Sequence, residues 1–266
     1  MSEFPGASAA PDAAAYAIVG APLDVSTTFR PGARFGPDRI RRFARPFDGY
    51  DRRTDRHFSE LVTDAGDVPA WDDVDEYLTF VEGHLSDHHA DGRLPLLLGG
   101  EHTVTIAGVR AATPDVYVCL DAHLDLYEAY AGNEFSHATV TQHALDVADE
   151  AVLIGVRTGS EAEWNRAAEA DVRVVSPEDV GSWDPDFDGD VYLSVDIDAA
   201  DPGFAPGTGT PAPFGLRPRE MRDVVRAVAP HACGFDVVEV NDRDDGQAAA
   251  LAGKLLQEFV FSHADG

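Results

Sequence analysis

The sequence predicts a single α/β domain built on a parallel sheet. Short apolar runs with strand chemistry alternate with helix-length amphipathic stretches along the chain, and no linker or internal repeat divides it. Several of the strand-like runs stop abruptly at Asp, His or Glu, as at the carboxyl edge of an open parallel sheet, where ligands bind.

In chain order, residues 1–14 are small, proline-containing and aperiodic, and read as a loose tail before a domain over 15–266. Residues 16–20 (YAIVG) give a first strand, followed by a long loop rich in turn formers, Asp24 to Pro37, and a helix from Pro37 that carries Arg39, Arg41 and Arg42. A strand over 61–67 precedes an amphipathic helix over 71–90, with Val74, Tyr77, Leu78, Val81 and Leu85 at helical spacing. His84, His88 and His89 near its end read as solvated surface residues. Residues 94–98 form a strand that ends in Gly99-Gly100-Glu101-His102, a tight turn in which backbone comes close to a neighbour. Residues 116–120 form another, ending in Asp121-Ala122-His123-Leu124-Asp125. If the chain stays extended, Asp121, His123 and Asp125 share one side.

A helix is expected from Ser136 to about residue 148, then a strand over 152–157, a helix over 160–170 and a strand over 172–175. Residues 191–198 (VYLSVDID) repeat the apolar-strand-then-carboxylate pattern. The loop after it is too proline-rich for a phosphate cradle and lacks the following lysine. A helix over 217–228, a last strand over 234–240 that reaches Glu239, and a helix over 246–262 complete the chain.

The formal charge of −28 comes from 48 acidic against 20 basic residues, of which Lys254 alone is lysine. That balance argues against nucleic-acid binding and resembles the surface of proteins that work in high salt. Cys119 and Cys233 lie in apolar runs and read as small core residues. No stretch of about 18 apolar residues and no charged-then-apolar leader is present, so no membrane partner is expected and the reading is a soluble cytoplasmic protein.

Taken singly, each of these polar strand ends reads equally well as a turn. Together, two histidines and four aspartates (His102, Asp121, His123, Asp125, Asp196, Asp198) at three strand ends suit two divalent cations, with carboxylates to bridge them. Two such cations lower the pKa of a shared water, which makes hydrolysis the natural reaction class.

The segments DVSTTFRPGARFGP (24–37), GGEH (99–102), DAHLD (121–125), SVDIDAADPGFAPGTGTP (194–211) and DVVEVN (236–241) resemble the ureohydrolases, the family of arginases and agmatinases. His137-Ala138-Thr139 and Phe214-Gly215 depart from the commonest pattern and look like the archaeal agmatinase branch. The resemblance implies a three-layer α/β/α fold with a mainly parallel eight-stranded sheet, a homo-oligomer (trimer or hexamer) and two Mn²⁺ ions. It implies that His102 and Asp125 bind one ion, His123 and Asp198 the other, and that Asp121 and Asp196 bridge. A bridging hydroxide would attack the guanidinium carbon, Asp125 would pass a proton to the leaving amine, Glu239 would orient the guanidinium and His137 would shuttle protons. For His137 a helix-start role is the alternative.

Within residues 126–135, Glu128, Glu134, Tyr127 and Tyr130 form an acidic, aromatic set with no Lys or Arg. Such a rim suits the ammonium tail of agmatine or of the longer aminopropylagmatine better than the carboxylates of arginine or guanidinobutyrate. A zinc deacetylase of related fold would lack a counterpart of His102. A metal-stabilised binding protein would tolerate the loss of Asp125 or Glu239, and both are present.

Overall fold

Strands that are apolar on both faces need cover on both faces, and the helices supply it. The computed structural model describes residues 3–266. The elements follow in the order β1 (Tyr16–Ala21), α1 (Gly36–Phe43), β2 (Tyr50–Asp51), β3 (Arg56–His57), α2 (Phe58–Leu61), β4 (Val62–Asp67), α3 (Val74–Ala90), β5 (Leu94–Gly99), α4 (Thr105–Ala112), β6 (Val116–Leu120), α5 (Val140–Ala144), β7 (Glu150–Ile154), α6 (Glu161–Arg166), β8 (Val172–Val175), β9 (Val191–Asp196), α7 (Pro218–Val228), β10 (Ala232–Val238) and α8 (Gln247–His263). Eight strands form one sheet in the order β4-β1-β5-β10-β9-β6-β7-β8, and every pairing in it is parallel. β2 and β3 form a separate antiparallel ribbon.

Alternate residues of the strands enter two cores. On one face Ile18, Leu98, Leu120, Val195 and Val237 meet α1, α7 and α8 through Ile40, Val225 and Phe259. On the other, Val19, Leu97, Cys119, Leu153 and Tyr192 meet α3, α4 and α5 through Leu78, Ile106 and Val140. Sheet and helices thus make the three layers that the resemblance implies.

Some local expectations need correction. Residues 3–14 are no loose tail. Phe4 is 1% exposed and packs on Phe58 with ring centroids 5.4 Å apart, and its N–H donates to Asp64 Oδ2 at 2.7 Å. Ala9 N–H bonds the Val62 carbonyl at 3.0 Å and Ser8 bridges to Thr63, so this segment covers the open edge of β4. Nor are His84, His88 and His89 fully solvated. All three are half-buried, and burial lowers the pKa of His88 and His89. The helix expected from Ser136 to 148 is a 3-10 turn, His137–Thr139, followed by the five-residue α5.

Arg41, 1% exposed, binds Asp64 at 2.8 Å and Asp67 at 2.5 Å, which locks α1 to β4 and anchors the long loop before it. Among the described residues no helix is long and apolar enough to cross a membrane.

Candidate metal centre and substrate cavity

Four strands that are neighbours in the sheet, β5, β10, β9 and β6, end on one ledge. Leu120 is opposite Val195 and Val238 opposite Asp196, so Asp121, Asp196 and Glu239 leave the sheet at nearly the same height. β5 reaches the ledge through Gly99-Gly100. A Cβ on Gly100 would lie 1.9 Å from the Leu23 carbonyl oxygen, so only glycine lets this turn pass the loop after β1 and deliver His102.

All six candidate ligands come together. His102 Nδ1 lies 2.9 Å from Asp125 Oδ2, 3.3 Å from Asp121 Oδ2 and 3.6 Å from Asp196 Oδ2. His123 Nδ1 lies 3.1 Å from Asp198 Oδ2 and 3.4 Å from Asp121 Oδ1. Asp121 therefore touches both histidines with different oxygens. Asp196 reaches the second group through its Oδ1, which accepts the Asp198 N–H at 2.8 Å.

The route differs from strand alternation. β6 ends at Leu120, and the ligands beyond it are gathered by turns. Asp121 Oδ1 accepts the His123 N–H at 2.7 Å, and Asp125 has φ 51°, in the left-handed region. The N–H groups of Thr141 and Gln142, at the start of α5, hold the Asp125 carbonyl at 3.1 and 3.3 Å. Glu239 also has a positive φ, 62°. Strained non-glycine backbone of this kind concentrates at functional sites.

Four carboxylates crowd a buried place with two imidazoles to offset them. Burial, then the neighbouring charges of Asp198 and Asp121, holds Asp196 well above the usual carboxylate range. Burial and Asp121 push Asp125 up to about 7. Against the opposing effect of burial, Asp198 and Asp121 push His123 up to about 12. A site that draws protons this strongly is short of positive charge, and its oxygen and imidazole donors fit divalent cations.

Behind the site, Ser194 Oγ donates to Asp236 Oδ1 at 2.7 Å and Tyr192 donates to Oδ2 at 2.8 Å. Ser194 thus has only lone pairs left for His102 Nε2, 3.2 Å away. That contact favours a proton on Nε2, which would leave the Nδ1 lone pair for a cation held among the carboxylates, as outer hydrogen bonds do for metal-binding histidines. The Cys119 thiol lies on the Nε2 side, 3.8 Å away, and burial pushes it up to about 11, so it stays a core thiol.

Glu239 is 4% exposed, its Oε1 accepts the His102 backbone N–H at 2.8 Å, and burial pushes it up to about 8. Beside the ligands opens a cavity of about 250 Å³ lined in part by His123, Asp125, His137, Tyr127, Tyr130 and Glu163. Glu128 and Glu134 are exposed and lie outside this lining. The loop turns out at a Tyr130–Asn133 bridge, and Glu134 offers its backbone carbonyl to Thr139 and His143. Besides the candidate ligand Asp125, the buried carboxylate in the cavity wall is Glu163, 5% exposed. Its Oε2 caps α6 through Ser160 N–H and Oγ at 2.9 and 2.8 Å, while Oε1 has only a long 3.4 Å bond from Leu126 N–H. Ser160-x-x-Glu163 is a capping-box pattern, and that was the sequence signal for its place.

Arg157 was also missed. It donates to the carbonyls of Gly155, Asp198, Ala199, Ala200 and Ala212 at 2.7–3.3 Å and fixes the loop that carries Asp198. Nothing in its local sequence marks it.

The arginase-family profile matches residues 14–262. The chain is 35% identical to the N(1)-aminopropylagmatine ureohydrolase of Thermococcus kodakarensis, over 92% of this chain and 90% of that protein. It is 33% identical to the agmatinase of Pyrococcus horikoshii, over 91% of this chain and 89% of that one. The crystal structure of agmatine ureohydrolase of Thermoplasma volcanium superposes with a TM-score of 0.92 at 33% identity, covering 100% of this chain and 95% of that one. With its fold shared with that structure and the candidate ligand residues of its motifs gathered on one ledge, the chain belongs to the arginase family, the ureohydrolases.

Proposed function

We propose that the chain hydrolyses the guanidino group of agmatine to putrescine and urea, with two Mn²⁺ ions held by His102, Asp121, His123, Asp125, Asp196 and Asp198. The observation that carries this reading is the cavity beside the ligand cluster, which has Glu163 and two tyrosines in its wall and no Lys or Arg. The ions, when bound, supply a water activated for attack on a planar carbon.

The chain's own residues do the rest. Nothing among the described residues donates to Glu239 Oε2, which leaves that oxygen for the N–H groups of a guanidinium, a charge-assisted contact that fixes its plane. Asp125, buried at the cavity wall, takes a proton on its carboxylate and hands it to the departing amine. His137, part-exposed in the same wall, moves protons between the cavity and solvent. Tyr127 and Tyr130, with rings 5.2 Å apart, and Glu163 receive the ammonium tail.

Agmatine is favoured over arginine and guanidinobutyrate because neither carboxylate would find a cation in the wall. Aminopropylagmatine is the second reading, supported by the partly open cavity and by the Thermococcus relative of that name. A homo-oligomer and a cytoplasmic place in polyamine synthesis belong to the same proposal, and the exposed Phe29 and Phe214 support the oligomer.

The test is urea release with Mn²⁺ in high salt from agmatine, aminopropylagmatine, arginine and guanidinobutyrate. Highest kcat/KM on agmatine is the expected result. Preference for aminopropylagmatine would transfer the reading to the second substrate, and preference for either carboxylate-bearing compound would refute both.

A further inference from the structure

Ser26 lies in the long loop between β1 and α1, at the crossing of several hydrogen bonds. Its hydroxyl donates to Glu101 Oε1 at 2.8 Å and accepts the backbone N–H of His137 at 3.0 Å. The same oxygen lies 3.0 Å from His137 Nδ1. Glu101 is fully buried. Its Oε2 accepts the N–H groups of Val25 and Ser26 at 2.7 and 2.8 Å, and its Oε1 also accepts the Thr103 hydroxyl at 2.7 Å. Four donors converge on this carboxylate, which acts as acceptor only.

The single proton of Ser26 is therefore committed to Glu101. Ser26 Oγ can offer His137 Nδ1 only a lone pair, so the hydrogen in that contact has to come from the imidazole. The other oxygen near Nδ1, Ser136 Oγ, is farther away at 3.4 Å. On the ring's other sides stand the edge of Tyr130, 5.9 Å between centroids, and the cavity itself.

We infer that Ser26, held by Glu101, is a positioning residue that fixes His137 as its Nδ1–H tautomer and so turns the Nε2 lone pair to the substrate cavity. A neutral histidine in this state receives a proton on Nε2 and returns it from the same atom, with Nδ1–H unchanged throughout. The assignment rests on the ureohydrolase reading for what the proton does, and on the hydrogen bonds alone for where the proton sits. It also draws the loop after β1 into the chemistry, because the turn that places Val25 and Ser26 against Glu101 sets the protonation geometry of a residue 111 positions away.

The experiment is a long-range ¹H–¹⁵N correlation on the full chain labelled with ¹⁵N-histidine, at a pH where His137 is neutral, with Mg²⁺ in place of paramagnetic Mn²⁺. The His137 signals are identified by their loss in His137→Asn. The wild type is expected to show the Nδ1–H pattern. Ser26→Ala should shift His137 toward Nε2–H and lower kcat for urea release about 10-fold with KM little changed, a fraction of what a positioned acid–base group contributes. Ser26→Thr, which keeps the hydroxyl, should restore both. An Nε2–H pattern in the wild type, which needs no variant to fold, overturns the inference. So does a Ser26→Ala protein whose His137 tautomer is unchanged. A wild type without urea release but with His137 as Nδ1–H would remove the ureohydrolase reading and leave the tautomer assignment standing. Urea release with Nε2–H would do the reverse.

Discussion

Glu239 Oε1 accepts the backbone N–H of His102 at 2.8 Å, which ties the residue after β10 to the residue that β5 delivers. Removing the whole side chain would therefore disturb a candidate metal ligand as well as the proposed substrate contact. Glu239→Gln is the cleaner change, because the amide oxygen keeps the bond to His102 while the charge is lost. Mn²⁺ content should stay at the wild-type level, and kcat/KM should fall on the order of 100-fold, the cost of about 3 kcal/mol for losing one partner of a buried charged pair. Metal analysis beside steady-state kinetics checks both, and loss of metal in this variant would move Glu239 from substrate contact to structural support.

Asp121 is the only one of the six candidate ligands with an oxygen within 3.5 Å of each histidine's Nδ1. Mn²⁺ at about 100 times its Kd should add about 2.7 kcal/mol to the stability of the wild type, visible as a rise in Tm of roughly 5–10 °C. Asp121→Asn should lose that rise and the activity together. A variant that keeps the full Mn²⁺-induced rise would show that Asp121 does not bridge.

Glu163 should set the preference for a cationic tail, and Glu128 should not. Glu163→Gln keeps an oxygen for the α6 cap and removes the charge in the cavity wall. KM for agmatine should rise about 5-fold, roughly 1 kcal/mol for one ion pair near a surface, with kcat little changed and the gap to guanidinobutyrate narrowed. Glu128→Gln should leave all of these where they were. The opposite ranking would return the tail to the loop over 126–135.

His263 holds two bonds that depend on its neutral form. Its Nδ1 faces the Tyr16 hydroxyl at 2.7 Å and its Nε2 faces the Ala232 carbonyl at 3.0 Å, so Nε2 donates and Nδ1 accepts. Burial lowers its pKa, as it does for His88 and His89. The unfolded chain then takes up protons first, near pH 6.5, while the folded chain resists. This contribution to stability is fully present above about pH 6.5 and is lost as pH falls through the lowered folded values. The raised carboxyl groups of Asp125, Asp196 and Glu239 act in the opposite direction over the same range, so the His263 contribution is read as a difference: the denaturant midpoint of the wild type should lose ground to that of His263→Gln between pH 7.5 and 5. A constant difference across that range would show that His263 does not contribute to acid sensitivity.

The charge of −28 should make the fold depend on salt. The Debye length shrinks from about 30 Å at 0.01 M to about 3 Å at 1 M salt, which removes most repulsion between surface carboxylates. Tm should rise by about 5–10 °C over that range, a few kcal/mol for a chain of this size. A flat curve would show that this acidic surface does not self-repel enough to matter.

The strand ends were legible because their chemistry is local: Leu120 to Asp121 and Val195 to Asp196 change from apolar to charged within one step. The ledge they share was legible too, since parallel strands bring their carboxyl ends to one side. Asp125 was recognised by type, yet its placement was misread, because a left-handed turn gathers it rather than an extended strand. Glu128 and Glu134 stand out in the sequence because they follow the candidate metal motif in the chain, whereas Glu163 arrives from beyond β7. Ser26 with Glu101 and Ser194 with Asp236 are contacts across 75 and 42 positions, and no periodicity or spacing within one segment reports such pairs. The segment before Tyr16 lacks helical or strand periodicity because it packs as irregular backbone along an edge.

β10 lies between β5 and β9, although it is the last strand of the sheet to be made. Until residues 232–238 have left the ribosome, the emerging chain can hold only two part-sheets, β4-β1-β5 and β9-β6-β7-β8, each with an apolar edge waiting for the same missing strand. His102 belongs to the first part and the four aspartates to the second. His123 lies in the second part as well, so Asp121, His123, Asp196 and Asp198 can meet before β10 is made, and only the half of the candidate site that needs His102 has to wait. Bringing His102 to the four aspartates is thus the step that insertion of the central strand completes, and the two open edges that precede it mark the interval in which this protein is most exposed to misassembly and to chaperones.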